Sequence, residues 1–311
     1  MDFKQLRALL AVAETGSVTR AATLLHIVQP AVSRQIRLLE ESFGAPLFER
    51  ERHGMELTDA GRILADYARR ALRELEQARA EIQPASGAVS GLVNVGLLPS
   101  VCDLVAGELV AGLQREHPQI RLRLTIGYAG HLQQWLEQGE VDLAMLYNLR
   151  PSPVLEAEAL LDERLYLVGL PASSLKMNRP QPLSSLQGRP LILPSAPHGI
   201  RSVVEHACAQ AGVTLEITAE ANAMNLQKVL VQHGLGFTIL PSAAIFDDVE
   251  RGTLAAAPIA RPDLRRRVVL ALPAGRRVPA AVRCVASALA QQVRACVQAG
   301  RWPGARLHAR G

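Results

Sequence analysis

In the first 57 residues the apolar positions recur at helical spacing in three short pieces. FKQLRALLAVA (3–13) is one predicted helix, ended by Gly16. Ser17 is placed to cap a second, 18–25, whose alanines permit close packing. A link at 26–28 leads to a third, 29–43, with Pro30 in its first turn, where a missing N–H costs nothing, and Gly44 after its end. Val32, Ile36, Leu39 and Phe43 lie on one face and must meet a core, which leaves Gln29, Ser33, Arg34 and Arg37 on the other. PLFERERHGMEL (46–57) reads as strand–turn–strand with Gly54 at the turn. A longer helix follows over 58–82, in which Leu64, Ala68, Ala71, Leu75, Ala78 and Ile82 form a heptad seam. The seam serves either a dimer or packing on the helix's own domain, and the small size of that domain favours the dimer. QPASGAVSG (83–91) breaks every pattern and reads as a linker.

Beyond Gly91 strands and helices alternate. Strands are predicted at 92–98, 120–126, 141–147, 165–170, 191–194, 213–219, 236–240 and 267–272. Helices are predicted at 101–116, 131–139, 200–211, 223–233 and 280–298, so the class is α/β with mostly parallel sheets. LQQWLEQGEVDLAML (132–146) aligns with LQKVLVQHGLGFTIL (226–240), and LPS at 98–100 with LPS at 193–195, at offsets of 94 and 95 residues. Two related lobes are the expectation, although a third LPS (240–242) fits neither offset.

Composition narrows the class without naming a function. Half of the 311 residues are apolar, which excludes wholesale disorder. No apolar run reaches the roughly 18–20 residues that span a bilayer, and no secretory leader pattern opens the chain; a cytoplasmic protein without membrane contact is expected. Cys102, Cys208, Cys284 and Cys296 show no metal-like or C-x-x-C spacing and read as free thiols. The net charge of +5 is uneven: 1–57 is neutral, 84–260 carries −5, and 261–311 carries eleven arginines against Asp263 alone. Any role of that basic end in nucleic-acid binding is weighed against a solvated face and, over 301–311, a flexible tail. No H-x-x-x-H, G-x-S-x-G or P-loop is present, and nothing brings Ser100, His131 and Asp142 into contact, so neither an enzyme nor a bound metal or cofactor is expected.

A short helix after a tight turn, with Gln29, Ser33 and Arg34 projecting from its N-terminal half, suits the DNA major groove, where Gln bridges adenine and Arg bridges guanine. AATLLHIVQPAVSRQIRLLEESFGAPLFER (21–50), preceded by GSVTR and followed by HGMELTDAG, resembles the winged helix–turn–helix of LysR-type transcriptional regulators. That resemblance spans about sixty residues without a gap, and the order of the remaining elements matches too. GYAGHLQQWLEQGEVDLAMLYN (127–148) resembles the family's nitrogen-assimilation branch.

The resemblance implies a winged helix–turn–helix at 1–58, a linker and dimerisation helix at 59–90, and a two-lobed effector domain like periplasmic binding proteins at 91–300. Lobe I would take about 91–161 and 267–300, and lobe II about 162–266. Carried over by position, Gln29, Pro30, Ser33 and Arg34 meet bases and nearby phosphates, Ser17 and Arg20 meet the backbone, and Arg50, Arg52 and His53 lie on the wing. Arg37, on the same polar face of the third helix, is a further DNA-contact candidate. Val28 stands where many relatives have a polar cap. The implied partners are double-stranded DNA with two half-sites, further copies of the chain in a dimer of dimers, RNA polymerase at the promoter, and a small organic effector between the lobes. Two strand-to-helix junctions should face that cleft, Ser100–Val101–Cys102 and Ser195 with His198, Gly199 and Arg201. Their amides favour an anion, while the serines either bind it or merely cap their helices. Tyr128, Asn148 and Thr238 complete the expected lining.

Overall fold

A computed structural model describes residues 1–51, 54–82, 88–149, 151–196, 198–275 and 277–308. The chain divides into two compact units that part between residues 86 and 87. The predicted linker lies outside the described residues from 83 to 87.

The first unit consists of α1 (Phe3–Thr15), α2 (Val18–Leu25), α3 (Gln29–Phe43), the hairpin β1 (Phe48–Glu51) and β2 (Gly54–Leu57), and α4 (Asp59–Ile82). Local chemistry sets its helix ends. Asp2 and Gln5 form a capping box at α1, the Ser17 hydroxyl accepts from the Arg20 amide at α2, and Gly16 and Gly44 close α1 and α3 in the left-handed region. Leu9, Val12, Ala21, Val32, Leu39 and Leu47 pack as one core. Gly61 lets α4 pass close to this core, since a Cβ there would lie 2.0 Å from the Leu47 carbonyl oxygen. Phe43, expected in the core, is half exposed: it sits in the last turn of α3, beyond the reach of so small an interior.

The second unit is built from two α/β lobes with the same internal order. Lobe I runs β3 (Gly91–Leu97), α5 (Cys102–Glu116), β4 (Ile120–Ile126), α6 (Ala129–Glu137) and β5 (Leu143–Tyr147). Lobe II runs β8 (Pro190–Leu193), α7 (Gly199–Gln210), β9 (Glu216–Glu220), α8 (Met224–Gln232) and β10 (Phe237–Pro241). The sheet orders β4-β3-β5 and β9-β8-β10 correspond, so the internal sequence echo falls on equivalent elements, α6–β5 and α8–β10.

One strand joins the lobes. The first part of β6 (Leu155–Gly169) pairs with β12 (Arg265–Pro273) in lobe I, and its last five residues run between β10 and β11 (Ala255–Ala260) in lobe II. The sequence pattern predicts a strand over only 165–170 here. LEAEALLDER (155–164) is rich in residues that disfavour strands in isolation, and pairing with β12 overrides that preference. Ala255–Ala260, which follows the short α9 (Phe246–Glu250) and also pairs with β7 (Gln181–Pro182), is a similar case of alanine-rich chain made strand by its partners. The helix α10 (Ala280–Gln298) matches its prediction and covers lobe I, burying Val282, Val285, Leu289 and Val293.

The C-terminal segment differs from expectation. Residues 301–308 do not trail as a tail: Trp302 is 1% exposed, Leu307 in β13 (Arg306–Leu307) pairs with Leu161 of β6, and the His308 amide donates to the Leu160 carbonyl. A single buried anchor in a coil leaves no periodicity to read, so the sequence pattern alone predicts a loose segment. Residues 309–311 lie outside the described residues. Nor is the arginine-rich end simply a solvated face. Arg266, Arg267 and Arg294 pair with Glu163, Asp162 and Glu158 of β6, and Arg265 pairs with Asp263. The basic end answers an acidic strand.

Candidate functional site

In α3 the two faces separate cleanly. Val32, Ile36 and Leu39 are buried, while Gln29, Pro30, Ser33, Arg34 and Arg37 are all exposed. The Gln29 amide donates to the Ser33 hydroxyl at 3.2 Å, which orients both polar groups on the first two turns. Arg37 meets Glu41 at 3.5 Å, but both are solvated and such a pair is worth little, so a phosphate can replace the carboxylate. Glu40 is drawn away from this face, its carboxylate accepting from the Leu47 amide. Val28 is the exposed N-cap of α3 and makes no side-chain cap bond. Ser17 spends its hydroxyl as the α2 cap, and Arg20 is exposed beside it. Arg50 lies in β1 opposite Met55; Arg52 and His53 fall outside the described residues.

The expected seam on α4 splits in two. Ala68 is 1% exposed and Leu64 packs against the unit's own core, so these two serve the domain rather than a partner. The cause is α1, which lies against the first half of α4. Ile63, Tyr67, Ala71, Leu75, Ala78 and Ile82 instead form an exposed apolar stripe, Leu75 at 45% and Ile82 at 77%.

Between the two lobes lies a cavity of about 640 Å³. Five of the expected residues line it: Tyr128, Asn148, Ser195, His198 and Gly199. Tyr147, Asn222, His131 and Gln134 also line it, and the sequence pattern does not single them out as lining residues. Asn222 was within reach of the sequence, because the 94-residue offset sets it against Tyr128. The two equivalent positions meet across the cleft, the Tyr128 hydroxyl donating to the Asn222 carbonyl oxygen. The Asn222 side-chain oxygen accepts from both the amide and the hydroxyl of Ser195, at 2.9 and 2.8 Å. The helix ends that reach the cavity are those of α6, through Ala129 and Gly130, and α7, through His198 and Gly199.

The other expected residues have different work. Ser100 is buried and accepts from Arg266 Nη2 at 2.7 Å, so it neither caps α5 nor lines the cavity. Val101 is buried, and the Cys102 thiol donates to the Pro99 carbonyl. Thr238 donates to Gln227 at 3.0 Å inside lobe II, both fully enclosed. Arg201 pairs with Glu205 and Glu220 and donates to the Pro194 carbonyl, so its charge is already neutralised. Asp142 holds the Asn94 amide and side chain, while His131 stacks on Trp135; together with Ser100 on Arg266, this scatters the three residues that a hydrolytic triad would need.

His198 is the α7 N-cap, its Nδ1 accepting from the Ile200 amide at 3.2 Å, which leaves Nε2 to carry the proton of the neutral ring. Tyr128 meets it edge-on, with centroids 5.3 Å apart. Burial and the nearby Arg266 guanidinium push the imidazole down from 6.5 to about 4. The folded chain thus refuses a proton that the unfolded chain accepts below 6.5, and stability falls as the pH drops from 6.5 toward 4. Above that window His198 contributes no slope. In urea titrations His198→Gln should therefore show a shallower loss of stability than wild type across this window; parallel curves would contradict it. Burial also raises the hydroxyl of Tyr128, and that of Tyr147, where Arg266 and the Ala129 backbone oppose it.

Comparison with known proteins gives the same two parts. A family described as the LysR substrate binding domain matches residues 86–294, and one described as bacterial regulatory helix-turn-helix protein, lysR family, matches residues 3–62. The HTH-type transcriptional regulator BbuR of Bordetella bronchiseptica is 33% identical over 306 residues, covering 98% of this chain and 94% of its own. The nitrogen assimilation regulatory protein nac of Escherichia coli is 31% identical over 248 residues, covering 78% and 79%. Among solved structures, a full-length OxyR variant from Pseudomonas aeruginosa superposes with a TM-score of 0.73 at 22% identity, covering 100% of this chain and 99% of that one. Full-length CbnR in complex with its target DNA gives 0.70 at 24% identity, covering 95% and 99%. These two structures show a likeness of fold.

Proposed function

The chain belongs to the LysR family of DNA-binding transcriptional regulators, and we propose that a small organic molecule in the interlobe cavity sets its activity on DNA. The carrying observation is that cavity, which is large enough for a metabolite and is reached by the N-termini of α6 and α7. An anionic group on the ligand fits the partial positive charge of those two helix ends. Of the side-chain anchors read in the sequence, Ser195 and His198 stay, Ser100 and Arg201 are engaged elsewhere, and Asn222 joins them. Tyr128 and Tyr147 supply a wall for an apolar or ring-bearing body. Thermal shift against a panel of small carboxylates and sulfonates tests this. Wild type and Arg201→Ala should both respond to at least one member, and Asn222→Ala should not; no response in wild type would end the anion reading.

On the DNA side, Gln29, Pro30, Ser33 and Arg34 are proposed as base readers, with Arg20, Arg37 and the wing Arg50, Arg52 and His53 holding phosphates. Arg34→Ala should cost about 1–3 kcal/mol in specific binding and relax base preference. Gel shifts on specific and random DNA measure the ratio, and an unchanged ratio would remove Arg34 from the readers. A dimer of dimers on two half-sites, acting with RNA polymerase in the cytoplasm, completes the proposal. Three of the four cysteines favour ligand sensing over thiol chemistry. Burial pushes Cys102 up to about 11 and raises Cys208 and Cys296, away from the reactive thiolate.

A further inference from the structure

Arg266 and Glu163 form a buried ion pair that neither the DNA-facing helix nor the cavity lining accounts for. They stand opposite each other in β12 and β6, where the chain passes between the lobes, and are 3% and 0% exposed. The other Glu163 oxygen accepts from Trp302 Nε1 at 2.9 Å, and Arg266 Nη2 donates to the Ser100 hydroxyl at 2.7 Å. The face of the guanidinium lies 4.4 Å from the centroid of the Tyr147 ring. Tyr147 is the member of this group that lines the cavity. Its far edge is stopped by Gly199 in the first turn of α7, where an added Cβ would lie 2.4 Å from Tyr147 Cε2. The ring is thus held between a guanidinium of one lobe and the backbone of the other.

We infer that Arg266 is a positioning residue of the effector cavity, setting the Tyr147 ring and linking its position through Glu163 to Trp302. Its purpose rests on the cavity being the effector site, but the link itself exists or fails without any ligand. A guanidinium is a rigid planar fork, and here its Nε, its Nη2 and the face toward Tyr147 are all committed. Moving it to follow the ring would strain the bonds to Glu163 and Ser100, and in a buried pair a bond lost leaves a charge unpaired. A displaced Tyr147 is therefore felt at Trp302, which lies outside the cavity lining. Lysine would keep the charge but lose the stacking plane and the fork.

The chain has two tryptophans, Trp135 and Trp302, so Trp135→Phe in the full-length protein leaves the emission of Trp302 alone. Two substitutions serve as probes: Gly199→Ala, whose methyl presses on the ring, and Tyr147→Leu, which removes the stacking partner without adding bulk. Each should red-shift Trp302 emission and raise its quenching by acrylamide. In an Arg266→Lys background both responses should be lost. The pair Arg266→Met with Glu163→Gln, which removes both charges together and so spares the fold an orphaned one, should lose them too while still melting in one cooperative transition. Trp302 emission that ignores both probes, or that responds equally once Arg266 is replaced, overturns the inference. The effector reading is judged separately, by the anion panel on wild type.

Discussion

A chain ending at Gly300 should be severely destabilised or fail to fold. The deletion removes a tryptophan that is 1% exposed, and emptying such a site costs about 3–5 kcal/mol. It also takes the indole donor from a Glu163 oxygen that is wholly buried, for about 1–3 kcal/mol more. Together these approach the whole stability of an ordinary domain, which is about 5–15 kcal/mol. Trp302→Phe separates the two terms: it keeps most of the packing, so its loss should be the smaller, set mainly by the missing N–H. Urea midpoints on the three proteins measure this. A truncated chain that unfolds with wild type would mean that 301–308 adds nothing to the fold.

The double variant Ala71→Glu, Leu75→Glu should lose binding to a two-half-site operator by at least about a hundredfold, the equivalent of about 2.8 kcal/mol. Both positions are exposed in the single chain, so the variant should fold with normal helix content. In a two-helix contact along the stripe from Ile63 to Ile82, each carboxylate would be buried without a partner at a cost of several kcal/mol. Sedimentation should show the loss of self-association and gel shifts the loss of operator affinity. Ala68→Glu is the control, because Ala68 packs in its own domain and a charge there should lower the melting temperature instead. Wild-type operator affinity in the double variant would refute the stripe as the dimer contact.

These results trace to different kinds of information in the chain. The three short helices, their glycine and serine ends, the exposed Gln29, Ser33 and Arg34, and all of α10 are legible in the sequence. Periodicity and capping act over one or two turns, so the residues that decide them are neighbours in the sequence. The duplicated lobes are legible as well, and the 94-residue offset makes Tyr128 and Asn222 equivalent positions, but only the folded lobes bring them into contact. The fate of a charge is not. Arg201 and Arg266 look alike in the chain, yet one is neutralised on a helix flank and the other sits buried at the strand that joins the lobes. Ser100 and Ser195 end the same LPS motif, and only Ser195 reaches the cavity. LEAEALLDER and the aperiodic segment around Trp302 have weak local preferences, so long-range pairing settled them. Local pattern determined which helices form and which faces are apolar. Tertiary structure alone decided which polar groups remain free to bind, because that depends on partners such as the one Ser100 finds 166 residues away.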